Sequence, residues 1–86
     1  MTSAKDKTSD ITAGPGGVMT AEVGVVTGEL TVRTELAEGG EVTLRVQYKG
    51  ADEWYTVQGG KAHLAAAGDL DAVHTIAVAL LDRPKG

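Results

Sequence analysis

Between residues 29 and 49, apolar and polar side chains alternate with a period of two on either side of a glycine pair. Leu30, Val32, Thr34 and Leu36 fall on one side of the first segment, with Glu29, Thr31, Arg33 and Glu35 on the other. Val42, Leu44, Val46 and Tyr48 repeat the pattern in the second, against Glu41, Thr43, Arg45, Gln47 and Lys49. Strict alternation with β-branched enrichment predicts two half-buried antiparallel strands, one row turned inward and one turned to water. A three-residue loop of Glu38, Gly39 and Gly40 sets Leu36 opposite Val42 and Val32 opposite Val46. Gly40 then occupies the position that requires a left-handed backbone. A four-residue loop would instead bring Glu41 onto the face of Leu36.

The same reasoning extends in both directions. In residues 18–26, Met19, Ala21, Val23 and Val25 share one face. A two-residue loop of Thr27 and Gly28 would place Val25 opposite Leu30 and Val23 opposite Val32. After a reversal at 50–52, residues 53–58 read as another strand. The preferred parity turns Tyr55 and Val57 inward and Trp54 outward; the other buries Trp54 opposite Tyr48. Beyond Gly59 and Gly60, Ala62 opposite Val57 would begin a short edge strand, whereas a rival reading makes 61–67 an alanine-rich helix stopped by Gly68.

Residues 69–83 read as a helix. Asp69 supplies an N-cap, Asp71 complements the positive end of the helix, Arg83 lies at the other end, and Pro84 stops continuation. Leu70, Val73, Ile76, Ala77, Leu80 and Leu81 form the stripe expected to pack on the sheet. The expected fold is α+β, an antiparallel four- to five-stranded β-meander with one C-terminal α-helix packed on one face. Residues 1–17 are rich in Thr, Ser, Lys, Asp and Gly, with Ile11 the only large aliphatic after Met1. That is too little apolar surface to offset backbone ordering of ~1–2 kcal/mol per residue, so 1–17 is expected to be a disordered tail and 18–86 the single domain.

Composition narrows the function classes. A chain of 86 residues buries only roughly 60–65% of its unfolded surface, and without cysteine neither disulfides nor thiolate metal cages can reinforce it. No apolar run approaches the ~20 residues that span a bilayer, and the first residues lack the apolar core of a secretory signal, so a cytoplasmic protein with no membrane partner is expected. A formal charge of -4 disfavours electrostatic binding of nucleic acid.

The Trp54, Tyr55, Thr56, Val57 stretch ahead of a helix carrying Val73 and His74, together with heavy Gly, Ala, Val and Thr usage, resembles short uncharacterised proteins of high-GC Gram-positive bacteria. The resemblance spans most of residues 27–81 and implies a fold without an activity.

No chemistry-bearing constellation is expected. His63 and His74 are the only imidazoles, and a metal site needs three or four converging ligands. His74 therefore reads as a solvated helix-face residue. Ser3 and Ser9 lie in the expected tail, where no rigid shell would hold a nucleophile near a base. Asp52 with Glu53 and Asp69 with Asp71 have turn and capping roles, and Gly14 to Gly17 lack the lysine and strand-turn-helix context of a phosphate loop. No catalytic residue, metal or cofactor is expected.

The outer sheet face remains the candidate binding surface: Arg33 lies beside Glu22 and Arg45, Lys49 lies opposite an outward Trp54, and clustering of the three cations around Trp54 would favour ligand binding. One helix shields a strip of ~10 Å on a sheet ~15–20 Å wide, which suggests that an apolar remainder is covered by a second copy or another protein. The expected function is a non-enzymatic protein-interaction or self-associating module, a homodimer being the preferred assembly. The alternative is binding of nucleic acid or a small anion on the outer sheet face.

Overall fold

The computed structural model describes residues 5–84. The chain runs through four strands, β1 (Lys5–Thr20), β2 (Gly24–Leu36), β3 (Glu41–Tyr48) and β4 (Tyr55–His63), then a single 3-10 turn, Ala67–Asp69, and the helix α1 (Leu70–Leu81). The fold is α+β, as the alternation implies. All neighbouring strands are antiparallel, in the order β1-β2-β3-β4, and the sheet closes into a small barrel where Thr20 of β1 meets Val57 of β4.

The β2–β3 hairpin has the register that the pattern of residues 29–49 dictates. Leu36 pairs with Val42 and Val32 with Val46. Gly40 sits at φ 95°, and a side chain added there would come within 2.7 Å of the Leu64 carbonyl oxygen and 2.9 Å of His63 Nε2. Glycine is therefore needed at this turn on both conformational and steric grounds.

Three expectations are corrected. The first concerns the segment expected to be a tail. Residues 1–4 lie outside the described residues, but 5–17 belong to β1, and residues 5–13 pair with β2 from Lys5 opposite Leu36 to Ala13 opposite Gly28. Ile11 and Ala13 are buried, while Asp6 and Asp10 form ion pairs across the sheet with Arg33 and Lys49. A tally of large aliphatic residues misses a strand whose ordering is offset by a main-chain ladder and by cross-strand charge pairs.

The second correction moves a turn. Thr27 and Gly28 lie inside β2, and Val25 pairs with Met19, not Leu30. The hairpin turns instead at 21–23, where the Thr20 hydroxyl donates to the Gly24 carbonyl at 2.7 Å and accepts from the Val23 N–H at 3.1 Å. Residues 14–17 form a large bulge opposite Thr27. Gly17 within it has φ 63°, and any Cβ there would fall 2.5 Å from Val25 Cγ1, so the bulge is possible only with glycine.

The third correction removes the fifth strand. Gly59 and Gly60 do not reverse the chain; β4 passes through them with a register shift, so Ala62 pairs with Val42 rather than Val57. Nor are residues 61–67 a helix. Further on, α1 begins after the 3-10 turn, and Asp69 makes no side-chain capping hydrogen bond.

The core has two parts. Ile11, Ala13, Val18, Val26, Leu30, Val32, Val46 and Val57 fill the barrel, with Leu44, Tyr55, Val78 and Leu81 against them. Leu70 fills the other end with Leu36 and Val42. Closure thus removes the broad uncovered sheet face inferred above. α1 lies across β1 and β2, and the chain just beyond it is stitched to β1: the Thr12 N–H donates to Asp82 Oδ1 at 2.9 Å, and the Arg83 N–H donates to the Thr12 carbonyl at 2.8 Å. Among the described residues no helix is long and apolar enough to cross a membrane.

Because Ile11 is a core residue, Ile11→Ala should lower unfolding free energy by about 2–5 kcal/mol in urea titrations. A change below ~0.5 kcal/mol, as expected at an unpacked position, would place residue 11 outside the cooperative fold.

Candidate interaction surface

The polar rows of the strands form a continuous chain of contacts on the outside of the barrel. Arg33 Nη2 lies 3.2 Å from Asp6 Oδ2, and its Nε lies 3.1 Å from Glu35 Oε2 without hydrogen-bond alignment. Arg45 Nε donates to Glu35 Oε1 at 3.0 Å, and its Nη1 donates to Thr56 Oγ1 at 2.9 Å. The Thr56 hydroxyl and N–H in turn donate to the two oxygens of Glu22 at 2.8 and 2.7 Å. These donors, the Thr56 N–H first, hold the Glu22 carboxyl below its ordinary pKa.

The structure brings some of the expected site residues together and separates one. The Arg33 guanidinium lies over the half-buried Trp54 ring, 5.4 Å from its centroid, and Arg45 is the cross-strand neighbour of Arg33. Lys49 is elsewhere. Its Nζ lies 3.3 Å from Asp10 Oδ2 and 3.9 Å from Glu29 Oε1, in a cleft of about 340 Å³ that Asp82 also lines. A hydrogen bond from Thr31 and the charge of Lys49 lower the Asp10 pKa. All three cations therefore already face carboxylates, which reduces the attraction they offer to an external anion.

His74 corrects another expectation. It is buried between α1 and the barrel, where Nδ1 lies 2.8 Å from Thr34 Oγ1 and Nε2 lies 2.8 Å from Ser9 Oγ. β1 thus holds Ser9 rigidly within reach of an imidazole. Both ring nitrogens of His74 are thus engaged by hydroxyls, one from the fully buried Thr34 and one from Ser9. The three residues clamp the helix to the barrel. Burial first, and then the charge of Lys7, push the His74 pKa down, opposed by Asp71. Lys7 pairs with Asp71 at 3.0 Å and lowers the Asp71 pKa.

The surface that lacks partners is the outer face of α1. Residues 72–81 carry no charged side chain, and Ile76 and Leu80, expected to pack on the sheet, are 61% and 62% exposed. Leu70, Val73, Ala77 and Leu81 of the expected stripe do face the core, joined there by His74 and Val78. Leu80 borders a hollow of about 130 Å³ formed with Gly14, Gly16, Gly17, Leu81 and Arg83. Across Gly17 from that hollow stands Val25, paired with Met19, and both are about half exposed, at 49% and 48%. Spacing did signal Ile76 and Leu80 as apolar; it assigned them to the wrong side of the helix.

Among the described residues, no group of three or more His, Cys, Asp or Glu side chains is arranged to hold a metal ion. Comparison of the chain with protein-family models, curated proteins and solved structures found no match.

The clamp sets a pH dependence with a definite sign. A histidine whose folded pKa is lowered binds fewer protons folded than unfolded. Stability should therefore be full above about pH 6.5, fall as pH drops below it, and level off beneath the folded pKa. Glu22, Asp10 and Asp71, also depressed, lose their contributions only at lower pH, through the carboxylate range. His74→Gln keeps one donor and one acceptor but cannot titrate, so its urea midpoint should stay flatter between pH 7 and pH 5 than that of the native chain. Parallel curves would refute the assignment.

Proposed function

We propose that this protein is a small non-enzymatic interaction module whose working surface is the outer face of α1. One observation carries the reading: the helix is apolar on both sides. Its inner face is used by the barrel, while Ile76 and Leu80 stand more than half exposed on a stretch without a charge between Asp71 and Asp82. A helix that is apolar all round belongs in an interior, and a contiguous exposed apolar patch marks a contact site. Binding of an anion on the outer sheet face has less support, because Arg33, Arg45 and Lys49 each contact carboxylates of the same chain.

The test is site-specific crosslinking in the native host. A photoreactive residue in place of Ile76 should give a discrete crosslinked protein species, whereas the same residue in place of the loop residue Glu38 should not. Identical, diffuse labelling from both positions would reject the helix face as a contact surface.

A further inference from the structure

The strands and α1 have separable cores. The buried residues that fill the barrel all come from β1 to β4, and α1 adds to them only the half-buried Val78 and Leu81. Of the helix's own side chains, Leu70, His74 and Ala77 are buried. Leu70 packs with Leu36 and Val42, and His74 is held by Ser9 and Thr34. α1 follows the four strands along the chain, so its release requires no strand to leave the sheet. A helix of 12 residues is marginal by itself, and this one is kept in place by those contacts and by the bonds that join Thr12 to Asp82 and Arg83.

The clamp suits one protonation state of the ring. A neutral imidazole has one donor and one acceptor, and hydroxyls 2.8 Å from each nitrogen use both. An added proton turns both nitrogens into donors, so whichever hydroxyl gave its hydrogen to the ring must turn it elsewhere. The new charge also arises on a side chain that is only 6% exposed. The charged groups around it are Lys7, on the same row of β1 as Ser9, and Asp71, one turn earlier on α1. These pair with each other at 3.0 Å, and Lys5 also acts on Asp71. From β2 the neutral Thr34 faces the ring, while Arg33 and Glu35 on either side of it stand in the outer row. Burial and Lys7 both oppose an imidazolium here, and Asp71, already engaged by Lys7, offsets them in part.

We infer that His74 is an acid-sensitive latch: its protonation releases α1 as a unit from a barrel whose strands stay paired, and so uncovers the inner helix face of Leu70, Val73, Ala77, Val78 and Leu81. This release is independent of what the outer face of α1 contacts. It also differs from a uniform loss of stability in acid, because one segment opens before the rest.

Amide hydrogen exchange of the full chain tests the latch, read residue by residue by NMR between about pH 7 and pH 5.5 and corrected for intrinsic rates. That window lies above the carboxylate range, so Glu22, Asp10 and Asp71 stay ionised throughout. Amides from His74 to Leu81 should share one protection factor, about tenfold or more below that of the β2–β3 ladder. Below about pH 6.5 that shared factor should fall by up to tenfold per pH unit, because the released ring binds the proton that the docked ring resists. His74→Gln should keep the gap between helix and ladder and lose the fall with pH. Lys7→Gln, at an exposed ion pair, removes a charge that opposes protonation and should make the fall shallower, a readout that stands even if the His74 variant does not fold. Equal protection in α1 and the ladder would mean a single global opening and overturn local release. Helix protection that stays level with pH, or that falls as steeply in Lys7→Gln as in the native chain, would overturn the imidazole as the latch.

Discussion

The ladder between β1 and β2 is the interaction on which the rest of the molecule depends. It orders a segment too polar to order itself, and in doing so supplies the barrel with Ile11, Ala13 and Val18 and sets Ser9 beneath the helix. β2 gains a partner on its second edge, so its inner row from Leu30 to Leu36 is buried from both sides. Without β1, the strand pair β2–β3 would be a narrow ribbon with one apolar face, and hairpins of that kind are marginal in water. The helix then has a defined place. It covers β1 and β2, and its own termination is fixed by main-chain bonds from Thr12.

What could be read from the residues follows from how locally each feature is determined. The β2–β3 register was legible because one loop length alone keeps Glu41 off the buried face. The helix was legible from its spacing and from Pro84. The long hairpin was not, since its inner positions on β1 include Ser9 and Ala13, which do not stand out as apolar, and its bulge imitates a chain break. Thr27 and Gly28 look like a turn between two alternating runs, yet the turn that forms is the one whose hydrogen bonds the Thr20 hydroxyl can satisfy. The pairing of Arg33 with Arg45 was legible from the register, whereas the pattern set Lys49 opposite Trp54; that Arg33 lies over Trp54 and Lys49 turns to Asp10 required knowing where β1 runs.

The faces of α1 show the same limit in a sharper form. Leu70, Val73, Ala77, Val78 and Leu81 turn inward with His74, while Ile76 and Leu80 share the exposed side with Asp71 and Thr75. The spacing of three and four marked the helix as amphipathic, but it did not separate the buried apolar residues from Ile76 and Leu80. The imidazole that turns inward hydrogen-bonds with the fully buried Thr34.

The stitching of Thr12 to Asp82 and Arg83 joins positions about seventy residues apart. During synthesis, the free edge of β1 therefore emerges from the ribosome long before the segment that shields it. Until residue 83 has cleared the exit tunnel, an N-terminal strand bearing Ile11 must wait with bare main-chain groups, in competition with any other nascent strand nearby. The Asp and Lys side chains along that edge, which look like the mark of a tail, also keep it from pairing with the wrong neighbour while it waits.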